Sequence, residues 1–152
     1  IAYKYEDGSV YIVDVVFNKG DKTVTQPIVA GKLKLHMPHV NRFEANNGGD
    51  EYCDSVDRLL RAEGIRLNLS HRKAPTTTSK LSRIIRAAPD IKKYYFLDRK
   101  HRSKEYEAFM REFTSFLQTG KNKNDDAADS MAQVADAIER PTGMVEVFKR
   151  PF

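Results

Sequence analysis

The 152-residue chain has no tryptophan, one cysteine, six prolines and eight glycines. A single thiol, Cys53, excludes an internal disulfide framework and a zinc site built on cysteines. Proline and glycine are too scattered to make a linker, and no repeat or low-complexity tract is present. No apolar run approaches the roughly 20 residues that cross a bilayer, and no charged-then-apolar leader opens the sequence. A GxxxxGK phosphate loop is also missing, which excludes ATP turnover by that route. What is there is ordinary globular material, 40% hydrophobic and 31% charged. At this length about two thirds of the unfolded surface can be buried in one core. Lys and Arg number 26 against 21 Asp and Glu, a net charge of +5, which permits a polyanionic partner without specifying one. These quantities predict a soluble, intracellular, single-domain protein.

Periodicity organises the chain. Segments 1–5 and 9–17 are rich in β-branched and aromatic residues and flank Glu6-Asp7-Gly8, which predicts a hairpin. A helix is expected from Thr25 or Gln26, with Pro27 in its first turn and Ile28, Val29, Leu33 and Leu35 as apolar positions. A short strand over 40–45 ends in Asn46-Asn47-Gly48-Gly49, a chain-reversal signal. Tyr52, Val56, Leu59 and Leu60 then recur at helical spacing, and Gly64 stands where a helix C′ glycine belongs. Ile65, Leu67 and Leu69 alternate with Arg66, Asn68 and Ser70, which is strand period. A polar loop over 70–79 leads to a helix carrying Leu81, Ile84 and Ile85, and 94–97 is another short strand. Ser103 caps a helix striped with Tyr106, Phe109, Met110, Phe113, Phe116 and Leu117, a spacing that reads as core. A last helix starts near Asp125, carries Ala128, Met131, Ala132, Ala135 and Ile138, and ends before Pro141. A hairpin followed by alternating α and β predicts an α/β layer fold, with helices on a mixed central sheet.

Carboxylates are the chemistry-bearing candidates. Glu44 closes an apolar strand just before the glycine-rich reversal, and in open α/β sheets reactive groups gather beyond the carboxyl ends of strands. Asp125, Asp126 and Asp129 open the last helix at i, i+3 and i, i+4 spacing, so they share a face. Such a cluster repels itself unless a cation sits among the carboxylates. Oxygen ligands of this kind favour Mg²⁺ or Mn²⁺, and two such ions activate water and stabilise the leaving oxygen of a phosphodiester. A second reading stands beside it. Acids in a first turn complement the helix dipole, with Asn124 as an N-cap. Asp14 fits either an inward-facing ligand or a strand-edge group bonded to a loop. His36, His39, His71 and His101 have no metal-ligand spacing and read as surface. Arg72, Lys73, Lys80 and Arg83 flank the loop expected near the acids and suit phosphate contact without base reading. Arg86, Lys92 and Lys93 read as a solvated face. Arg99, Lys100, Arg102 and Lys104 make a second basic run.

HVNRFEANNGG, followed further on by a polar loop and by NDDAADS opening a helix, resembles the nuclease domain of phage large terminase subunits. KAPTTTSKLSRI between them, and the opening strand, DG turn and YIVDVVF, extend the resemblance from Ile1 to about Glu139. It implies a ribonuclease H-like fold and cleavage of concatemeric double-stranded DNA with two divalent cations, Mg²⁺ or Mn²⁺. By position, Glu44 corresponds to the family's second acid and Asp126 to its third, with Asp129 next in rank and Asp125 as a further metal neighbour. The family's first acid belongs to a strand ahead of Ile1, so the resemblance implies an N-terminally truncated single domain over 1–152, with 141–152 as a tail and the packaging ATPase outside the chain. Portal and small terminase subunit are the implied partners of the full-length protein, host cytoplasm the implied location, and no membrane is involved. Two alternatives remain open: a DNA-binding or motor-docking module of the same fold without chemistry, and a resolvase- or transposase-like core.

Overall fold

A computed structural model describes residues 1–45, 48–73 and 77–139; Asn46, Asn47 and the tail over 141–152 lie outside it. The strands are β1 (Ala2–Lys4), β2 (Val10–Ile12), β3 (Asn41–Glu44), β4 (Leu69–Arg72) and β5 (Tyr95–Phe96). The helices are α1 (Lys22–His36), α2 (Gly49–Ala62), α3 (Lys80–Ile91), α4 (Lys104–Thr114) and α5 (Asp126–Glu139). This is the mixed α/β class that the alternation predicts.

Pairing differs from one central sheet. The described strands form two: β1-β2-β5 and β3-β4. In the first, β1 runs antiparallel to β2 with Tyr3 opposite Tyr11, and β2 runs parallel to β5 with Tyr11 opposite Tyr95. In the second, β3 and β4 are parallel, with Glu44 opposite Arg72. The alternating stretch from Ile65 becomes a strand only at Leu69, because alternation reports a buried face, whereas a strand also needs a partner, and β3 offers one only to Leu69–Arg72. Ile65 and Leu67 still pack into the core.

Helix ends follow local chemistry. The carboxylate of Asp21 accepts from the backbone N–H of Thr23 (2.9 Å) and Val24 (3.3 Å), so α1 starts more than a turn before Pro27 and keeps that proline inside. Helix α2 ends in a Schellman arrangement: the Gly64 N–H reaches the Arg61 carbonyl and the Ile65 N–H the Leu60 carbonyl, both at 2.9 Å, with Gly64 at φ 75°. Ser103 Oγ accepts from the Tyr106 N–H at 3.1 Å to open α4.

Two apolar clusters hold the layers. The larger joins Val10 and Ile12 of β2 to Ile84 and Ala87 of α3, Tyr106 and Phe109 of α4, and Met131 and Ala135 of α5. Tyr106 is 1% exposed, and its hydroxyl donates to the Ile12 carbonyl at 2.6 Å while accepting from the Leu97 N–H. The smaller cluster gathers Ala30 and Leu33 of α1 with Val56 and Leu60 of α2, against Phe43, Leu67 and Leu69. Leu117, expected in the aromatic stripe, is exposed because α4 ends at Thr114.

Candidate functional site

The end of β3 is held by an unusually close helix start. Gly48 enters α2 at φ 84°, and a Cβ on Gly49 would lie 1.6 Å from the Glu44 carbonyl oxygen. Only glycine allows that approach. It fixes where the Glu44 side chain leaves the sheet, and Gln133 Nε2 of α5 donates to Glu44 Oε2 at 2.8 Å. Asp129 lies one helical turn before Gln133 on the same face. Glu44 of β3 thus lies against α5, the helix that opens with Asp126 and Asp129.

Helix α3, packed along α5, supplies their counter-charges. Arg83 Nη2 spans both oxygens of buried Asp129 at 3.0 and 3.3 Å, and its Nη1 donates to the Thr78 carbonyl. Lys80 Nζ bridges Asp125 (2.6 Å) and Asp126 (2.9 Å). Partial burial works against the Lys80 charge, but the hydrogen bonds and negative charges of the two aspartates outweigh it and raise its pKa well above the ordinary value. Lys80 therefore keeps its proton between these carboxylates. Lys80 and Arg83, read from sequence as DNA contacts, are thus engaged by the same aspartates read as metal ligands. Arg72 and Lys73, at the end of β4 beside Glu44, are exposed.

Among the described residues no three His, Cys, Asp or Glu side chains converge to hold a metal ion. The donor chemistry nevertheless suits a hard divalent cation, since the acids are carboxylates already arranged around positive charge. Glu44 bonds Gln133 of α5, and Asp125 and Asp126 share one lysine.

The basic run after β5 is largely balanced locally. Arg99 and Arg102 pair with Glu107, and Lys100 pairs with Asp98. Arg86 lies 3.9 Å from Asp136 and Lys93 3.5 Å from Asp90. Asp14 follows β2 and binds Lys32 Nζ at 2.7 Å and His36 Nε2 at 2.9 Å, while the Tyr3 hydroxyl meets His36 Nδ1 at 2.8 Å. His36 is thus half-buried and ties α1 to the hairpin, unlike its surface reading; His39, His71 and His101 are exposed. Sequence reasoning passed over Gln133, although its spacing of four from Asp129 was a usable signal.

No family model, curated protein sequence or solved structure matches this chain. No helix among the described residues is long and apolar enough to cross a membrane.

Proposed function

We propose that this chain is the nuclease domain of a DNA-packaging terminase of the phage type, with a ribonuclease H-like fold, cutting double-stranded DNA by metal-dependent phosphodiester hydrolysis. One observation supports the reading: Glu44 at the end of β3 is bonded to Gln133, so it lies against the helix whose preceding turn carries Asp129. Glu44, Asp126 and Asp129, with Asp125 alongside, are the groups that would hold the ions. Two Mg²⁺ or Mn²⁺ ions would supply an activated water and neutralise the leaving oxygen. Until then, Lys80 and Arg83 balance the carboxylates. With the acids holding metal, the Lys80 ammonium would meet a DNA phosphate, and Arg72 and Lys73, exposed at the end of β4, would add further phosphate contacts. Contacts of this kind hold duplex without reading bases, and affinity falls with salt by a log–log slope of about −0.9 per phosphate neutralised. Portal and small terminase subunit are the partners such a domain meets through a longer protein.

A second reading is favoured by the same ion pairs: a DNA-binding or docking module whose acids stay locked to Lys80 and Arg83. Plasmid incubated with Mn²⁺ separates them, using this chain and an N-terminally extended version. Cleavage by the extended version that is lost at least a hundredfold in Glu44→Ala supports the nuclease; duplex binding with no cleavage by either supports the module. A strong preference for branched DNA would redirect the reading to a resolvase-like core.

A further inference from the structure

An apolar groove of about 390 Å³ lies between α3 and the end of α4, beside β5. Its walls are Ile84, Ile85 and Ile91 of α3, Phe96 of β5, and Phe113 and Phe116 at the end of α4. Ile85 is 43% exposed, so the described residues leave part of this apolar surface open to water. The lining also includes Ala128, in the first turn of α5, and Tyr94. The Tyr94 hydroxyl donates at 3.2 Å to Glu139 Oε1, at the last residue of the same helix. Those two levels of α5 are eleven residues apart, a rise of about 16 Å. Lys92 is the one charged residue among the described residues that line the groove.

We propose that residues 144–148 of this same chain occupy the groove, doubling back from the end of α5 and lying extended along α3. Position, length, apolar content and charge all point to this occupant. The bond from Tyr94 holds Glu139 at the rim, so the chain leaves α5 beside the groove. Proline cannot continue a helix, and Pro141-Thr142-Gly143 has the composition of a chain reversal. The next five residues, Met144-Val145-Glu146-Val147-Phe148, carry four apolar side chains, and burying them is favourable. Extended, five residues span about 17 Å, close to the distance between the two levels of α5. Val145 and Val147 then share one face and enter between Ile84, Ile91 and Phe113, while Phe148 arrives beside Phe116. Glu146 faces the other way, toward the rim. It is the one acid within 141–152, and Lys92 is the charge that would meet it. The inference stands apart from the nuclease reading, since neither metal nor DNA enters it.

The test is methyl NMR on the full 152-residue chain. Expected are nuclear Overhauser contacts from the Val145 and Val147 methyls to those of Ile84, Ile85 and Ile91. A soluble paramagnetic probe should relax the Ile85 methyls at least threefold more in a Val145→Asp, Val147→Asp double variant than in the wild type. Val10 and Leu33, in the two cores, should keep their shifts in that variant, which separates undocking from unfolding. Val145→Ile should retain the contacts. Tail methyls at random-coil shifts without contacts to α3, or equal relaxation of Ile85 in wild type and double variant, would overturn the proposal. Contacts that fade on dilution, or that join differently labelled copies, would overturn it in favour of a second copy's tail.

Discussion

Asp129 is the clearest case of a side chain whose environment is known only after folding. It is buried, and Arg83 grips both its oxygens. Removing one partner of such a pair strands the other charge in the interior, which costs roughly 3–5 kcal/mol. Arg83→Ala should therefore destabilise the protein by about that much in urea unfolding, and Arg83→Met combined with Asp129→Asn should recover most of it. A residue serving only DNA would leave stability unchanged. Asp14 makes a pH-dependent prediction. Burial opposes its charge, but hydrogen bonds from Lys32 and His36, the Lys32 charge and the Val15 N–H outweigh it and lower its pKa below the ordinary 3.8. A carboxylate with a depressed folded pKa contributes stability above its unfolded pKa and loses it as pH falls through the folded value. Unfolding free energy should thus drop more steeply below pH 3.8 in the wild type than in Asp14→Asn, as denaturant titrations across that range would reveal.

At the scale of elements, two glycines make opposite predictions. Gly49 sits where β3 and α2 touch backbone to backbone, with 1.6 Å between a would-be Cβ and the Glu44 carbonyl oxygen. Gly49→Ala must push strand and helix apart, an overpacking cost of about 1–3 kcal/mol or more that should also shift the Glu44 resonances in NMR spectra. Gly31 lies within α1 with nothing near the Cβ position. Gly31→Ala should raise stability by about 0.5–1 kcal/mol, through helix propensity and reduced freedom of the unfolded chain. Elements whose signals are local were legible beforehand: the Gly64 helix end, the Ser103 cap and the start of the last helix near Asp125. The boundaries that shifted, Lys22 for α1 and Leu69 for β4, depended on an aspartate cap and on a strand partner that periodicity does not encode.

Across the whole molecule, the apolar interior is divided between two clusters flanking the cleft between the two sheets. Bridges across it are largely polar: Glu44 with Gln133, and Asp14 with His36 and Lys32. Such a division predicts two cooperative units rather than one. Leu60→Ala should cost about 2–5 kcal/mol and should speed native-state hydrogen exchange in α1, α2, β3 and β4 by at least tenfold more than in α4 and α5. Uniform acceleration would show a single unit.

Hydrophobic spacing, turn residues and capping side chains are local, so the sequence by itself determined the α/β class, the order of elements and much of the helices' core faces, although Leu35, Leu59 and Ile85, read as apolar positions, are exposed. It also marked Glu44 and the Asp125–Asp129 turn as the chemically interesting carboxylates. Only the tertiary structure decided that those aspartates are held by Lys80 and Arg83, that His36 links Asp14 to Tyr3, and that the strands divide into two sheets around a cleft. Those outcomes depend on which surfaces meet across dozens of residues, and long-range pairing leaves no periodic trace in a single chain.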